Sequence, residues 1–205
     1  MGTQVARRGD LESPQARVSA PPTPPLILAS VSPQRRAILE QLGLPFEVVA
    51  PNFEESGGDP VALAAGKARS VDGGGSPVLG VDTEVVVDGE ALGKPAGPGE
   101  AEAMLELLSG RTHEVVSGLC LRTAAWEELH GETTLVTFRS LDARDLAHYV
   151  ASGEWEGRAG AYAIQGLGAS LVERIEGDYL NVVGLPAARL VKILSERFAG
   201  VYGFG

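Results

Sequence analysis

From Leu26 onward the chain alternates short apolar runs with segments that open on a capping side chain or a proline and close on a glycine. That rhythm confines it to the α/β class. Leu26 to Ala29 predicts a buried strand. Ser32 then caps a helix with Pro33 at its first position, Ile38, Leu39 and Leu42 on its apolar face and Gly43 at its end. Phe46 to Ala50 alternates as a second strand, and Val61 to Val71 predicts an alanine-rich helix leading into Gly73-Gly74-Gly75. Pro77 to Val87 is strand again, and Asp88-Gly89 signals a tight hairpin to Ala91-Leu92. Gly99 to Leu108 has helical spacing, residues 113 to 122 and 132 to 139 predict a strand pair, and Asp142 caps a helix to Val150. A loop over 152 to 168, a strand over Ser170 to Ile175 and a helix from Pro186 to about Phe198 complete the pattern. The rhythm is not a strict βαβ repeat and no fixed period recurs, so a mixed sheet flanked by helices is expected.

Residues 1 to 25 hold five of the 13 prolines and no periodicity, which predicts a disordered leader ahead of a single domain over 26 to 205. Its arginines precede no continuous apolar stretch, so it does not read as a secretory signal. Runs such as Leu26 to Ala29 fall far short of the roughly 20 apolar residues a membrane-spanning helix needs. With 17 basic against 27 acidic residues, the formal charge of −10 argues against general binding to nucleic acid or anionic membrane. An anionic ligand must therefore be held by a local cluster. Cys120 alone forms no internal disulfide, and one Cys with three scattered His does not build the usual zinc site. A reducing compartment is expected.

Only three lysines occur, Lys67, Lys94 and Lys192, and the other 14 basic residues are arginine. Lys94 lies in Leu92-Gly93-Lys94-Pro95, where Pro95 fixes the chain and Gly93 permits close approach of a ligand. A solvated loop lysine is the plainer alternative. Asp82-Thr83-Glu84 interrupts an apolar strand, which is costly unless the polar groups face a cleft or pair, so Asp82 is a candidate base or metal ligand. A bulge with solvated side chains would also explain it. Glu54-Glu55 after the second strand is a carboxylate pair that solvation alone could account for. The turn from Ser30 to Arg36 puts free backbone N–H groups, a helix dipole and two arginines where a phosphate would sit, or else it is a cap with surface arginines. Phosphate-binding, dinucleotide-binding, zinc-protease and nucleophile-elbow signatures are absent. His113, His130 and His148, like Trp126 and Trp155, read as structural or surface residues.

Six blocks, in order, carry a resemblance. They are Leu28-Ala29-Ser30-x-Ser32-Pro33-Gln34-Arg35-Arg36, Gly80-Val81-Asp82-Thr83, Leu92-Gly93-Lys94-Pro95, Leu108-Ser109-Gly110-Arg111-Thr112-His113, Gly160-Ala161-Tyr162-Ala163-Ile164-Gln165-Gly166 and Gly177-Asp178-Tyr179-x-Asn181-Val182-Val183-Gly184-Leu185-Pro186. Over 26 to 195 the chain resembles the Maf family of cytoplasmic nucleoside triphosphate pyrophosphatases, first noted as septum-formation inhibitors. The resemblance implies a Maf/ITPase-like α/β fold with two lobes around a central cleft, a homodimer, and hydrolysis of a triphosphate to monophosphate and pyrophosphate with Mg²⁺ or Mn²⁺. By motif, Asp82 is the implied catalytic carboxylate, Ser30, Arg35, Lys67 and Lys94 the phosphate-binding set, and Glu55 with Asp82 the metal site. A triphosphate carries about −4, and a divalent ion with Arg35, Lys67 and Lys94 supplies about +5, which the two carboxylates offset. A carboxylate is a poor base for free water, so a metal that acidifies the water is needed, and oxygen ligands suit Mg²⁺ or Mn²⁺.

Thr83 and Gln165 resemble the branch acting on dTTP and UTP, whereas the branch acting on 7-methyl-GTP carries other residues there. Gln34 departs from both branches, the first of which has Arg there, and this implies altered or broader base selection. The connection Ser56 to Gly66 is shorter than the family's. A non-catalytic nucleotide sensor in cell division is the competing reading, but a binder has no need of Asp82 beside a cationic set.

Overall fold

The computed structural model describes residues 23–54 and 57–204. Its strands are β1 (Leu26–Ala29), β2 (Phe46–Val48), β3 (Val78–Val87), β4 (Glu90–Leu92), β5 (Thr112–Arg122), β6 (Glu127–Phe138) and β7 (Val172–Glu176). Its helices are α1 (Pro33–Gln41), α2 (Pro60–Arg69), α3 (Pro98–Leu108), α4 (Ala143–Ser152), α5 (Tyr179–Val183) and α6 (Ala187–Phe198), with 3₁₀ turns at Ala159–Ala161 and Gly166–Leu171. Pro occupies the first turn of α1, α2 and α3, where its missing N–H costs nothing. Ser32, Asp59 and Asp142 cap α1, α2 and α4, and Asp145 closes a capping box with Asp142. Asp88 at φ 53° and Gly89 at φ 82° make the left-handed turn that joins β3 to β4.

The strands form one mixed sheet in the order β2-β1-β3-β5-β6-β7, with β4 beside β3. β1 is parallel to β2 and β3; the other pairs are antiparallel. One edge of β3 is covered by β5 from Val78 to Val86. The opposite edge is shared: β1 covers Val78–Gly80 and β4 covers Val85–Val87. Between them, Val81–Glu84 has no strand alongside among the described residues. The sheet is therefore open at its own centre.

Side chains alternate across β3. Leu79 and Val81 join Leu26, Leu28, Leu119, Leu121 and Leu190 in one apolar cluster under α1 and α6. Val85 and Val87, on the same face, join Leu105, Val115, Phe138 and Tyr149 in a second under α3 and α4. Thr83 and Ser117, opposite each other in the ladder, interrupt the apolar row between the two clusters and hydrogen-bond at 2.9 Å. This polar break falls level with the opening in the sheet. On the reverse face α2 covers Ile27, Ala29, Val78 and Cys120. Burial there pushes the Cys120 thiol up to about 12, so it is inert as a nucleophile.

The sequence-based boundaries differ from the structure where polar residues hide a strand or a helix is too short to show a period. β6 begins at Glu127, not 132, because Glu127–Gly131 alternates no apolar side chains yet pairs with Gly118–Arg122. β2 ends at Val48, and Ser170-Leu171 lies in a 3₁₀ turn rather than in β7. The five-residue α5 has less than two turns of pattern and gave no signal. Of the predicted leader, residues 1–22 lie outside the described residues, and the Thr23 hydroxyl donates to the Val201 carbonyl at 3.0 Å.

Candidate active site

The opening in the sheet is the floor of a cleft of about 590 Å³. Ser30, Gln34, Arg35, Lys67, Asp82, Thr83, Lys94 and Gln165 all line it. Residues up to 135 positions apart in sequence thus meet in one cavity, and Glu55 lies outside the described residues. β1 ends at Ala29, so Ser30 and the N-terminus of α1 enter the cleft from the strand's carboxyl end, where α/β sheets place their ligands.

Asp82 and Lys67 form the floor. Both are buried, and Lys67 Nζ donates to Asp82 Oδ1 at 2.5 Å. Two glycines allow this approach. A Cβ on Gly80 would lie 2.1 Å from the Ala64 carbonyl oxygen, and one on Gly118 would lie 2.0 Å from that of Pro60. Gly118 stands opposite Asp82 in the ladder. Helix α2 thus rests directly on the backbone of β3 and β5 through Ala64, Ala65 and Ala68, which carries Lys67 to Asp82. Glu84 follows on the same face of β3 and also lines the cleft. Burial, then Asp82 and Asp59, holds its carboxyl above the usual range.

Arg35 braces one wall. Its Nε donates to the Gly184 carbonyl at 2.9 Å, one terminal nitrogen to Ser30 Oγ at 3.0 Å and the other to Thr83 Oγ1 at 3.2 Å. Ser30 Oγ also accepts from Ser32 N, while the Ser32 hydroxyl donates to Gln34 Oε1 at 3.1 Å. Gly184 is placed by α5, whose cap Asp178 accepts from Leu180 N. Buried Asn181 fastens that helix to the sheet by donating to the Val115 carbonyl and Thr134 Oγ1. The tyrosine- and asparagine-containing block thus supports the arginine from beneath.

The facing wall carries Lys94 and Gln165. Gly160 N donates to the Gly93 carbonyl at 3.1 Å, tying the Lys94 segment to the loop ahead of Gln165. The Gln165 turn is held by α4 and its end. Tyr149 Oη accepts from Ala163 N, and the two oxygens of Glu154 accept from Leu167 N and Gly168 N. Lys94 is exposed at the rim and makes no hydrogen bond or ion pair with the described residues. Sequence reasoning missed three residues here: Glu84, whose signal was its place two along from Asp82, and Glu154 and Arg158, which lie in an aperiodic stretch and left none.

Fold and cleft together define an α/β protein that gathers cations and a buried acid in a gap of its own sheet. The chain belongs to the Maf-like protein family, whose model matches residues 25–197. Similar proteins include a dTTP/UTP pyrophosphatase of Symbiobacterium thermophilum, 46% identical over 83% of this chain and 93% of that one. Another, from Thermus thermophilus, is 48% identical over 85% and 95%. The structure of a HAM1 protein from Coxiella burnetii superposes with a TM-score of 0.52 at 19% identity, over 83% of this chain and 98% of that one, and shares the fold. No helix among the described residues is long and apolar enough to cross a membrane.

Proposed function

We propose that the protein hydrolyses nucleoside triphosphates to the monophosphate and pyrophosphate, with dTTP and UTP preferred. The observation that carries this reading is the buried Lys67–Asp82 pair at the floor of a cleft walled by Arg35 and Lys94. The volume suits a nucleotide-sized ligand. The relatives named dTTP/UTP pyrophosphatase support the substrate class.

Water attacks the α-phosphorus, the bond to the bridging α–β oxygen breaks, and pyrophosphate leaves. Asp82 orients the water and takes its proton, and Lys67 holds the carboxylate in place. Arg35 and Lys94 offset charge on the phosphates, with Ser30 and the α1 N-terminus as hydrogen-bond donors. Asp82 and Glu84 supply carboxylate oxygens on one face of β3, a donor set that fits Mg²⁺ or Mn²⁺, which take one or two carboxylates and complete their shell with water and phosphate. Glu55 is a further ligand on the family resemblance. A cation held by these residues would supply Lewis acidity toward water and offset phosphate charge. Gln34, Thr83 and Gln165 select the base, with Gln34 widening the range.

The test is pyrophosphate release from a panel of canonical and base-modified triphosphates with Mg²⁺ or Mn²⁺. The reading expects stoichiometric monophosphate and pyrophosphate, fastest from dTTP and UTP. Release of orthophosphate instead, or no turnover, contradicts it.

A further inference from the structure

Arg158 is a further residue lining the cleft. Its Nε is buried and finds no acceptor among the described residues, with which the side chain forms no hydrogen bond or ion pair. A buried donor left without an acceptor is costly, and nearly all such groups in folded proteins are satisfied. The backbone holds the residue there with some effort. Gly160, two positions on, has φ 66°, and a Cβ on it would lie 2.8 Å from the Val85 side chain. Only glycine lets this segment lie flat on β3, where its N–H reaches the Gly93 carbonyl. That bond ties the Arg158 segment to the one carrying Lys94. Two cations with no carboxylate partner among the described residues therefore line the same cleft as the Ser30–Arg35 turn.

We infer that Arg158 is a phosphate-binding residue that acts with Lys94 to hold the pyrophosphate half of the triphosphate. This rests on the proposed pyrophosphatase reading of the cleft. The β- and γ-phosphates carry about three of the substrate's four negative charges, so they are the part that two adjacent cations fit best. A guanidinium is suited to the task because its planar fork grips two phosphate oxygens at once. Held so, the leaving group departs as a neutralised pyrophosphate, and the same contacts bind it as product.

The experiment uses the full chain and its Arg158→Gln and Arg158→Lys variants, with inorganic pyrophosphate as probe. Calorimetric affinity for pyrophosphate is measured with and without Mg²⁺, alongside kcat/KM for dTTP, UTP and a purine triphosphate, and Tm without ligand. The expected result for Arg158→Gln is pyrophosphate binding weaker by roughly ten- to a hundredfold, an equal fractional loss of kcat/KM for every base, and an undiminished Tm. Arg158→Lys should recover part of both losses. Unchanged pyrophosphate affinity overturns the inference, whether activity is retained or lost for one base only, and so does a wild-type protein that binds no pyrophosphate. A wild-type protein that binds pyrophosphate in an Arg158-dependent way but releases none from triphosphates upholds the inference about binding and refutes the hydrolytic reading.

Discussion

At the scale of single residues, the cleft relies on side chains that hold one another before any ligand does. Arg35 alone bridges Ser30, Thr83 and Gly184, three points far apart in the chain, so its guanidinium is oriented before a ligand arrives. Gln34 stands beside it with its amide oxygen taken by the Ser32 hydroxyl. Glutamine offers fewer and less fixed donors than arginine, so on the proposed reading it discriminates less between bases. Gln34→Arg should therefore sharpen the preference for dTTP and UTP by up to about a hundredfold, the ratio that hydrogen bonds of 0.5 to 3 kcal/mol allow. Identical kcat/KM profiles over a triphosphate panel would remove position 34 from base selection. Ser30, Gln34, Arg35, Asp82, Thr83, Lys94 and Gln165 were legible as one set because each lies in a block of fixed spacing, whereas Lys67 lies in none of those blocks. The Arg35–Thr83 bond was not, because it joins positions 48 apart that no periodicity connects. Arg158 was not legible either, since a loop of glycine and charge looks the same whether its arginine faces solvent or a cleft.

At the scale of elements, the decisive contact is α2 against the sheet. Helix α2 presents alanines to β3 and β5, and those strands present Gly80 and Gly118 in return, so backbone meets backbone and the Lys67–Asp82 bond closes. Gly80→Ala puts a methyl group 2.1 Å from the Ala64 carbonyl oxygen. The helix must lift, which should cost about 1–3 kcal/mol of stability in denaturant unfolding. It should also lower kcat/KM for all triphosphates together, as Lys67 retreats from Asp82. Equal stability and activity in the variant would show that the seat of α2 is not what positions the lysine. Sequence marked α2 and β3 themselves through proline, capping and apolar runs. It did not reveal that β4 folds back onto the same edge of β3 that β1 leaves, although the Asp88-Gly89 turn was plain. The cleft arises from that shared edge, a relation between strands that no local pattern encodes.

Across the whole molecule, an acidic chain gathers Arg35, Lys67, Lys94 and Arg158 around one gap in its sheet, with separate apolar clusters on either side of the Thr83–Ser117 break. His113 sits inside the second cluster against Phe138 and Tyr162, hydrogen-bonded through Nε2 to the Tyr162 hydroxyl at 2.8 Å. Burial lowers its pKa to about 4. The unfolded chain takes up this proton below the ordinary histidine value near 6.5, while the folded chain resists to about 4. Between those values the unfolded state binds more protons, so stability falls as pH falls, by on the order of 3 kcal/mol in total from this group. Denaturant unfolding at pH 7 and pH 5 should show a shallower loss for His113→Gln than for the wild-type chain; equal slopes would contradict a neutral buried imidazole.

Asp82→Asn keeps the side chain's shape and removes the charge at the floor of the cleft, where the proposed chemistry begins. Pyrophosphate release from dTTP and equilibrium binding of a non-hydrolysable dTTP analogue are measured on the same preparations. Turnover should fall by about 10²–10⁴ with binding retained. A variant that releases pyrophosphate at near the wild-type rate would show that the chemistry is not done at Asp82.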